Sequence, residues 1–482
     1  MYAKSPIPGT LFFCVAMSFI GILNYIPASE GSYHPVHFIL GMAQIVCFTP
    51  MTLYLFKPSE RLPFFQLICI VYSVHYTWFP FYGARPYILF DHLDLDDLFK
   101  PAILIFLGML SMVVGYYWRP INLILRFIPP MQLEWEPKSA KKICIVFMGI
   151  GFFGILGMKT GLGSGSAGQI INFLSNFSVV GILAFYILRI RRQITLTSAL
   201  MVWLLYVPAY MGLAISGGNS GPIGTFSLAV IMTYIGERKK IPWVVIVLCV
   251  MALFPFMYAK FEYRDQVWTD TGHVEQEGLG DAAENTAKFG KIAANSFTAD
   301  PKVVKFALHA IAIRFDISFI FAYIVDQAPR RVDYLYGESY SDIIYKLIPR
   351  LLWPDKPNPS YGQLFGHMFQ FLAPDDTNTS INFPQLVEMY VNFGIPGVLL
   401  GMFILSQVYW TLCYFMNTRQ VGDWFAVFSV SIFAGLIRVE SNFSLVVAGI
   451  FYHVVLYYVV GFFIRTQTKR QTRRPRIRAI NY

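Results

Sequence analysis

The chain has 482 residues, of which 56% are hydrophobic and only 14% charged, a balance that excludes an ordinary soluble globular protein. The formal net charge of +10 does not imply nucleic-acid binding, because Arg465, Lys469, Arg470, Arg473, Arg474, Arg476 and Arg478 crowd into the C-terminal tail with no acid among them. Such a tail suits a cytoplasmic surface facing anionic lipid.

A membrane-crossing helix needs about 20 largely apolar residues, since lipid cannot satisfy an exposed backbone amide. The sequence supplies such stretches repeatedly, and the fold class expected is an all-α polytopic membrane protein of about twelve transmembrane helices. The aromatic share of 17% fits interfacial belts of Trp and Tyr. The six cysteines, Cys14, Cys47, Cys69, Cys144, Cys249 and Cys413, all fall in apolar stretches, so no disulfide framework or cysteine-rich metal site is implied.

The first span is expected over 10–27. It ends near Tyr25-Ile-Pro without a small-residue cleavage pattern, and so reads as a retained span and not a removable signal sequence. A second span covers 36–56, and a third follows the Lys57-Pro-Ser-Glu-Arg61 turn over 63–82. The acidic connection Asp91-His-Leu-Asp-Leu-Asp-Asp97 precedes the fourth span, 101–118, which leads into Arg119, Arg126, Lys138, Lys141 and Lys142. The acidic loop before this span and the basic one after it place residues 119–142 in the cytoplasm.

The fifth span, 143–158, ends in the glycine-rich Gly161-Leu-Gly-Ser-Gly-Ser-Ala-Gly168, and the sixth, 171–188, ends at Arg189-Ile-Arg-Arg192. The seventh, 197–215, meets the turn Ser216-Gly-Gly-Asn-Ser-Gly221. The eighth, 222–236, ends at Glu237-Arg-Lys-Lys240, and the ninth covers 241–258. Three more follow at 393–416, 424–437 and 445–464. Twelve crossings put both termini in the cytoplasm and every strongly basic connection on that side. The chain then divides into nine spans within 1–258, a large extracytoplasmic loop over 259–391, three spans within 392–464 and a basic tail over 465–482.

A loop of that length is usually functional when it is not disordered. Its acidic opening, Thr269 to Asn285, reads as mobile. Apolar residues return at helical spacing from Val303 to Ile324 and suggest one or two helices lying on or dipping into the membrane. Pro349, Pro354, Pro357 and Pro359 then stiffen an extended course past Trp353.

Several residues here carry chemistry or admit a plainer role. Arg314 and Asp316 interrupt an apolar run, where ionisable groups are costly and functional use is the default; the alternative is an Arg–Asp contact pinning the loop helix. Arg350 and Lys356 flank Leu-Leu-Trp-Pro-Asp, and a guanidinium fork with a nearby ammonium suits a diphosphate. Trp353 suits stacking on a sugar, or interfacial anchoring. His367 and Glu388 are candidate general bases, with Asp355 and Glu440 weaker ones; a satisfied histidine and a charge at a helix N-terminus are the plainer readings. Arg438 and Glu440, in the short connection between the last two spans, read as a salt-bridged cap or as part of an anion site. The amides of the turn holding Asn219 would suit an anion as well. No metal-ligand spacing or nucleotide-binding loop stands out.

On the segment Ile348-Pro-Arg-Leu-Leu-Trp-Pro-Asp-Lys-Pro357, Thr379-Ser380 and Glu388 to Gly394 entering a span, the chain resembles the Wzy-type bacterial oligosaccharide repeat-unit polymerases, which make O-antigens and exopolysaccharides. The turn at 216–221 is similar to the family's Gly-Ser-Arg-Gly-type turn but has Asn219 where an arginine is common. Arg438 with Glu440 resembles a late arginine-containing outer segment.

The resemblance implies a metal-independent, C-type glycosyltransferase-like membrane fold in the bacterial cytoplasmic membrane, with no cofactor. A hydroxyl of one polyprenyl diphosphate-linked oligosaccharide would attack the anomeric carbon of another, and polyprenyl diphosphate would leave. Arg314, Arg350, Lys356 and Arg438 would take up the developing charge, and Glu388 or His367 would serve as base. Partners expected are those lipid-linked glycans, membrane lipids, a chain-length regulator and a flippase, and no nucleic acid. An O-antigen ligase-like transferase and a lipid-linked oligosaccharide flippase remain as alternatives. A transporter would keep paired charges deep within several spans, whereas these charges cluster at the outer edge. No internal repeat supports an inverted-repeat transporter.

Overall fold

The computed structural model of the protein describes residues 7–29, 33–57, 60, 62–78, 93–118, 135–160, 168–216, 221–238, 240–267, 279–295, 315–348, 353, 355–356, 361–377, 379–418 and 423–465. Among these residues every regular element is a helix. The first six are α1 (Ile7–Ser29), α2 (Pro35–Phe56), α3 (Phe64–Thr77), α4 (Phe99–Trp118), α5 (Pro137–Lys159) and α6 (Gly168–Ile190). A continuous run follows, α7 (Leu196–Met201), a π-turn (Val202–Tyr206) and α8 (Val207–Ile215). Pro208 explains the widened turn, because its ring clashes with the carbonyl four residues back and offers no N–H.

Next come α9 (Gly221–Arg238), α10 (Trp243–Val267), α11 (Leu279–Asn295), α12 (Ser318–Gln327), a 3-10 turn (Glu338–Ser341), α13 (Asp342–Leu347) and α14 (Tyr361–Met368). The last three are α15 (Gln385–Thr418), α16 (Asp423–Leu436) and α17 (Phe443–Arg465). Eight helical runs among the described residues, α1, α2, α4, α5, α6, α7–α8, α15 and α17, are long and apolar enough to cross a membrane. α3 and α16 are apolar but shorter. The architecture is all-α and multi-pass.

Apolar burial between helices gains little in lipid, so close backbone approach through small residues matters more. α5 lies against α6 in this way: a Cβ added at Gly151 would fall 2.1 Å from the Ser178 nitrogen, and one at Gly154 2.6 Å from the Ser175 nitrogen. α4 meets α15 through Gly108 and Gly115, and Ser111 Oγ donates to the Leu399 carbonyl at 2.7 Å.

The helix ends sort into two polar layers. At one, Arg191 donates to both oxygens of Glu237 at 2.7 and 3.0 Å and to Asp423 at 2.5 Å, with its guanidinium 5.5 Å from the Trp135 ring. This clasp joins the ends of α6 and α9 to the start of α16. In the same layer Tyr116 donates to Glu60 at 2.8 Å, and Asn417 donates to the Leu62 carbonyl at 3.1 Å. The other layer holds His34 and Asp96 at 3.0 Å and the Tyr263 hydroxyl on the Ser216 carbonyl at 2.9 Å.

The region between α9 and α13 differs from expectation in three places. α10 does not stop at 258 but continues to Val267, because its Ala259 and Tyr263 are buried with Phe289 and Ile292 of α11. The acidic opening expected to be mobile therefore contains part of an ordered helix, α11. The run to Ile324 was expected to lie on or dip into the membrane. Its described helix, α12, is instead enclosed by protein, with Phe319, Phe321, Tyr323, Ile324 and Val325 all in the main core.

Candidate functional site

α15 is broken at Gly394, whose φ of 59° and ψ of −141° leave the helical region. A break inside an apolar helix frees carbonyls that must find donors within the protein. Here the amides of Leu335 and Tyr336 donate to the carbonyls of Val391 and Asn392 at 3.0 and 3.1 Å. The Asn392 side chain completes the joint: its Oδ1 accepts from the Gly337 amide at 2.9 Å, and its Nδ2 donates to Ser339 Oγ at 2.8 Å. Residues 335–339 are thereby stitched to the broken helix.

Six residues before the break lies Glu388, fully buried. Ser339 Oγ donates to its Oε1 at 2.7 Å, and the amide of Phe443, the first residue of α17, donates to its Oε2 at 2.6 Å. Both carboxylate oxygens are thus engaged, and one of them caps the N-terminus of a helix 55 residues away in the chain, as the positive end of a helix dipole favours. Tyr340 packs between Phe393 and Phe443, and burial, with the nearby Glu388 second, raises its phenol above the ordinary value.

α13 extends the network along α17. Lys346 pairs with the buried Asp342 and donates to Ser444 Oγ at 2.8 Å, while the Tyr452 hydroxyl donates to the Lys346 carbonyl at 2.9 Å. Lys356 is buried, and its ammonium donates to the carbonyls of Tyr345 and Ile348 at 3.0 and 2.7 Å. It therefore closes the C-terminal end of α13, where unpaired carbonyls favour a cation. Trp353 rests 5.8 Å from the Tyr345 ring with 37% of its surface exposed, and Asp355 is exposed beside it.

Arg438 is exposed and Glu440 half-buried in the connection that delivers Phe443 to Glu388. α14 is tied in at its start by the Tyr361 hydroxyl, which donates to the Glu338 carbonyl at 2.9 Å. His367 stands at the far end of α14, half-buried, and apart from the Glu388 network. Asn219, Arg314 and Arg350 lie outside the described residues. The structure therefore gathers Glu388, Lys356, Trp353, Asp355, Arg438 and Glu440 around α13 and the start of α17, and leaves His367 and Asp316 elsewhere.

Asp316 precedes α12 and is buried. Its Oδ1 accepts from the amide and the hydroxyl of Ser318 at 2.8 and 2.5 Å. Its Oδ2 has no hydrogen-bond partner among the described residues. Burial holds the carboxyl up at about 7, from an ordinary 3.8, against the Ser318 hydroxyl and the Ser318 and Phe319 amides that favour ionisation. The neighbouring titratable group on α3 is His75, which bonds the Phe315 carbonyl at 2.8 Å.

A raised carboxyl pKa means that the folded state holds the proton more tightly. This contribution to stability is then lost as pH rises from about 3.8 towards 7, at about 1.4 kcal/mol for each pH unit. Thermal unfolding in detergent should show wild type losing ground to Asp316→Asn across that window. A variant less stable than wild type at pH 8 would show that the buried carboxylate is compensated.

Sequence reasoning missed Ser339, Asp342, Lys346, Asn392 and Ser444. Two signals pointed to some of them: Asp342 and Lys346 are four apart, as are Glu388 and Asn392, so each pair shares a helix face. Nothing local joins the two pairs. Among the described residues no three His, Cys, Asp or Glu side chains converge as a metal site would require.

No curated protein and no solved structure matches the chain. A family model described as a domain of unknown function, DUF8712, matches residues 85–469 and so takes in every helix from α4 to α17. The chain, with its broken α15 and the polar network that closes on it, belongs to the DUF8712 family.

Proposed function

We propose that the protein is a glycan transferase of the bacterial cytoplasmic membrane that joins polyprenyl diphosphate-linked oligosaccharide repeat units on the outer face. The observation that carries this reading is the charged, non-spanning segment 334–348, stitched to a broken apolar helix and laid along α17. Buried ionisable groups and irregular backbone beside apolar helices are costly and mark functional sites by default. A lipid diphosphate presents its charge at that depth, with its tail in the bilayer.

Counting α3, α9, α10 and α16 as crossings with the eight longer runs gives twelve. Both termini then fall on the side of the Arg191 clasp. In this reading Arg438, with Arg350 and Arg314, faces the diphosphate, and Trp353 offers a platform for a sugar. Lys356 and Glu388 hold the segment in place, which leaves Asp355, beside Trp353, as the base. The resemblance at 348–357 and 388–394 favours a polymerase.

Purified protein reconstituted with lipid-linked repeat units should yield a ladder of products. A single transfer to a lipid acceptor would make it a ligase, and no product with either acceptor would end the transferase reading. Arg438→Ala and Arg350→Ala should each lower transfer by about 100-fold or more, the scale for losing one donor to developing charge, with insertion unchanged. Near-full activity in either variant removes that residue from the diphosphate.

A further inference from the structure

At the end of the bundle opposite the Glu388 network, a cleft of about 440 Å³ opens between α6, α9 and the first turn of α10. Tyr186, Val230, Tyr234, Ile241 and Trp243 are among the residues that line it. Its size is in the range of about 300–1,000 Å³ that holds small organic ligands. Its wall is apolar and aromatic, and two of its residues, Trp243 at 66% and Val244 at 73%, are left largely exposed.

The rim is basic. Arg238 and Lys240 are both exposed. Arg238 donates to the Ile190 carbonyl at 3.0 Å, an uncharged partner. The nearest acid in the chain, Glu237, is held by Nε and Nη2 of Arg191. Among the described residues no carboxylate forms an ion pair with Arg238 or Lys240. Tyr234 and Arg238 lie four residues apart on one face of α9, so the aromatic wall and the cation meet at the same end of that helix. An apolar slot with an unneutralised cationic rim, at the depth where Trp and Tyr sit in membranes, complements one amphiphile.

We propose that this cleft binds an anionic glycerophospholipid of the adjoining leaflet, with an acyl chain against Tyr186, Tyr234 and Trp243 and the phosphate on Arg238 and Lys240. The site is independent of the glycan-transfer reading.

The test is native mass spectrometry of the full-length protein released from detergent with equal amounts of phosphatidylglycerol and phosphatidylcholine of the same acyl chains. Wild type should retain phosphatidylglycerol over phosphatidylcholine. Lys240→Gln, which leaves the Arg238 contact with Ile190 intact, should lower that preference about fivefold, the scale of one basic residue against anionic lipid. Arg238→Gln with Lys240→Gln should bring the two lipids close to parity. Trp243→Ala should lower retention of both lipids and leave their ratio unchanged, and Lys159→Gln, at the other end of α5, should change nothing.

An unchanged preference in Lys240→Gln would overturn the proposal, as would full lipid retention in Trp243→Ala. An equal loss of preference in Lys159→Gln would reduce the effect to net charge and also overturn it. Displacement of the lipid by excess inorganic phosphate would show a free-anion site instead.

Discussion

Glu388→Gln is expected to destabilise the protein by about 1–3 kcal/mol, the cost of leaving one buried polar group unpaired. The new amide can keep its oxygen on the Phe443 N–H only by turning its NH2 towards Ser339, whose hydroxyl then loses its acceptor. Ser339 Oγ already accepts from Asn392, so the hydroxyl has little freedom to turn. Glu388→Ala removes both acceptors, and its cost should reach about 3–5 kcal/mol, as when one member of a buried charged network is deleted. Thermal unfolding in detergent, followed by loss of the monodisperse peak, measures both.

The alternative role gives the opposite pattern. A general base tolerates Glu388→Gln in stability and loses only chemistry. A glutamine variant with wild-type unfolding and no glycan transfer would therefore return Glu388 to the reaction. Loss of stability and activity together, with activity regained on cooling, is the outcome the geometry predicts.

Gly394→Ala should be the second large effect. A φ of 59° with ψ of −141° is a conformation that glycine alone adopts at low cost, and holding another residue there costs about 1–3 kcal/mol. Space adds to strain: a Cβ at this position would lie 2.7 Å from the Tyr334 hydroxyl and 2.9 Å from the ring carbon that carries it. Relieving the clash by helical φ/ψ would straighten α15 and withdraw the Val391 and Asn392 carbonyls from Leu335 and Tyr336.

A double-mutant cycle with Tyr334→Ala separates the two causes. In that background Gly394→Ala should cost only its backbone strain, so the two substitutions should be less than additive. Strict additivity would mean that the tyrosine does not close the space over Gly394.

Most of the helical scaffold was legible in the residues. Backbone polar groups in lipid must be paired within the helix, so each long apolar run announces its own secondary structure, and ends such as Asp423, Phe443 and Leu196 fall within a few residues of those expected. The short α3 shows the limit of that reading. An apolar run to residue 82 looks like one span, whereas the described helix ends at Thr77. α12 is a different case: helical spacing announces a helix but not what surrounds it, and only the core decided that protein and not lipid covers Phe319 and Phe321.

The site was legible as a region and not as an arrangement. Hydrophilic interruption, prolines and sparse charges marked 259–391 as the segment that an apolar chain keeps for something other than spanning. They gave Glu388 and Lys356 substrate-facing roles, as base and as diphosphate-binding cation, because a charged side chain in a loop is ordinarily accessible. The partners that internalise them are distant or directionless in sequence: Ser339 and Phe443 lie 49 and 55 residues from Glu388, and Lys356 ends on backbone carbonyls that every residue possesses.

The amino-acid sequence by itself determined the all-α, membrane-crossing class, because hydropathy acts on each helix separately. It also determined the basic end of the bundle, because charge position along the chain is a one-dimensional property. The tertiary structure alone decided that Glu388 caps α17, that Lys356 closes α13 and that the break at Gly394 is repaired by residues 335–337. Each of these depends on which unpaired group meets which donor across helices, and desolvation makes that meeting matter only once the chain has folded.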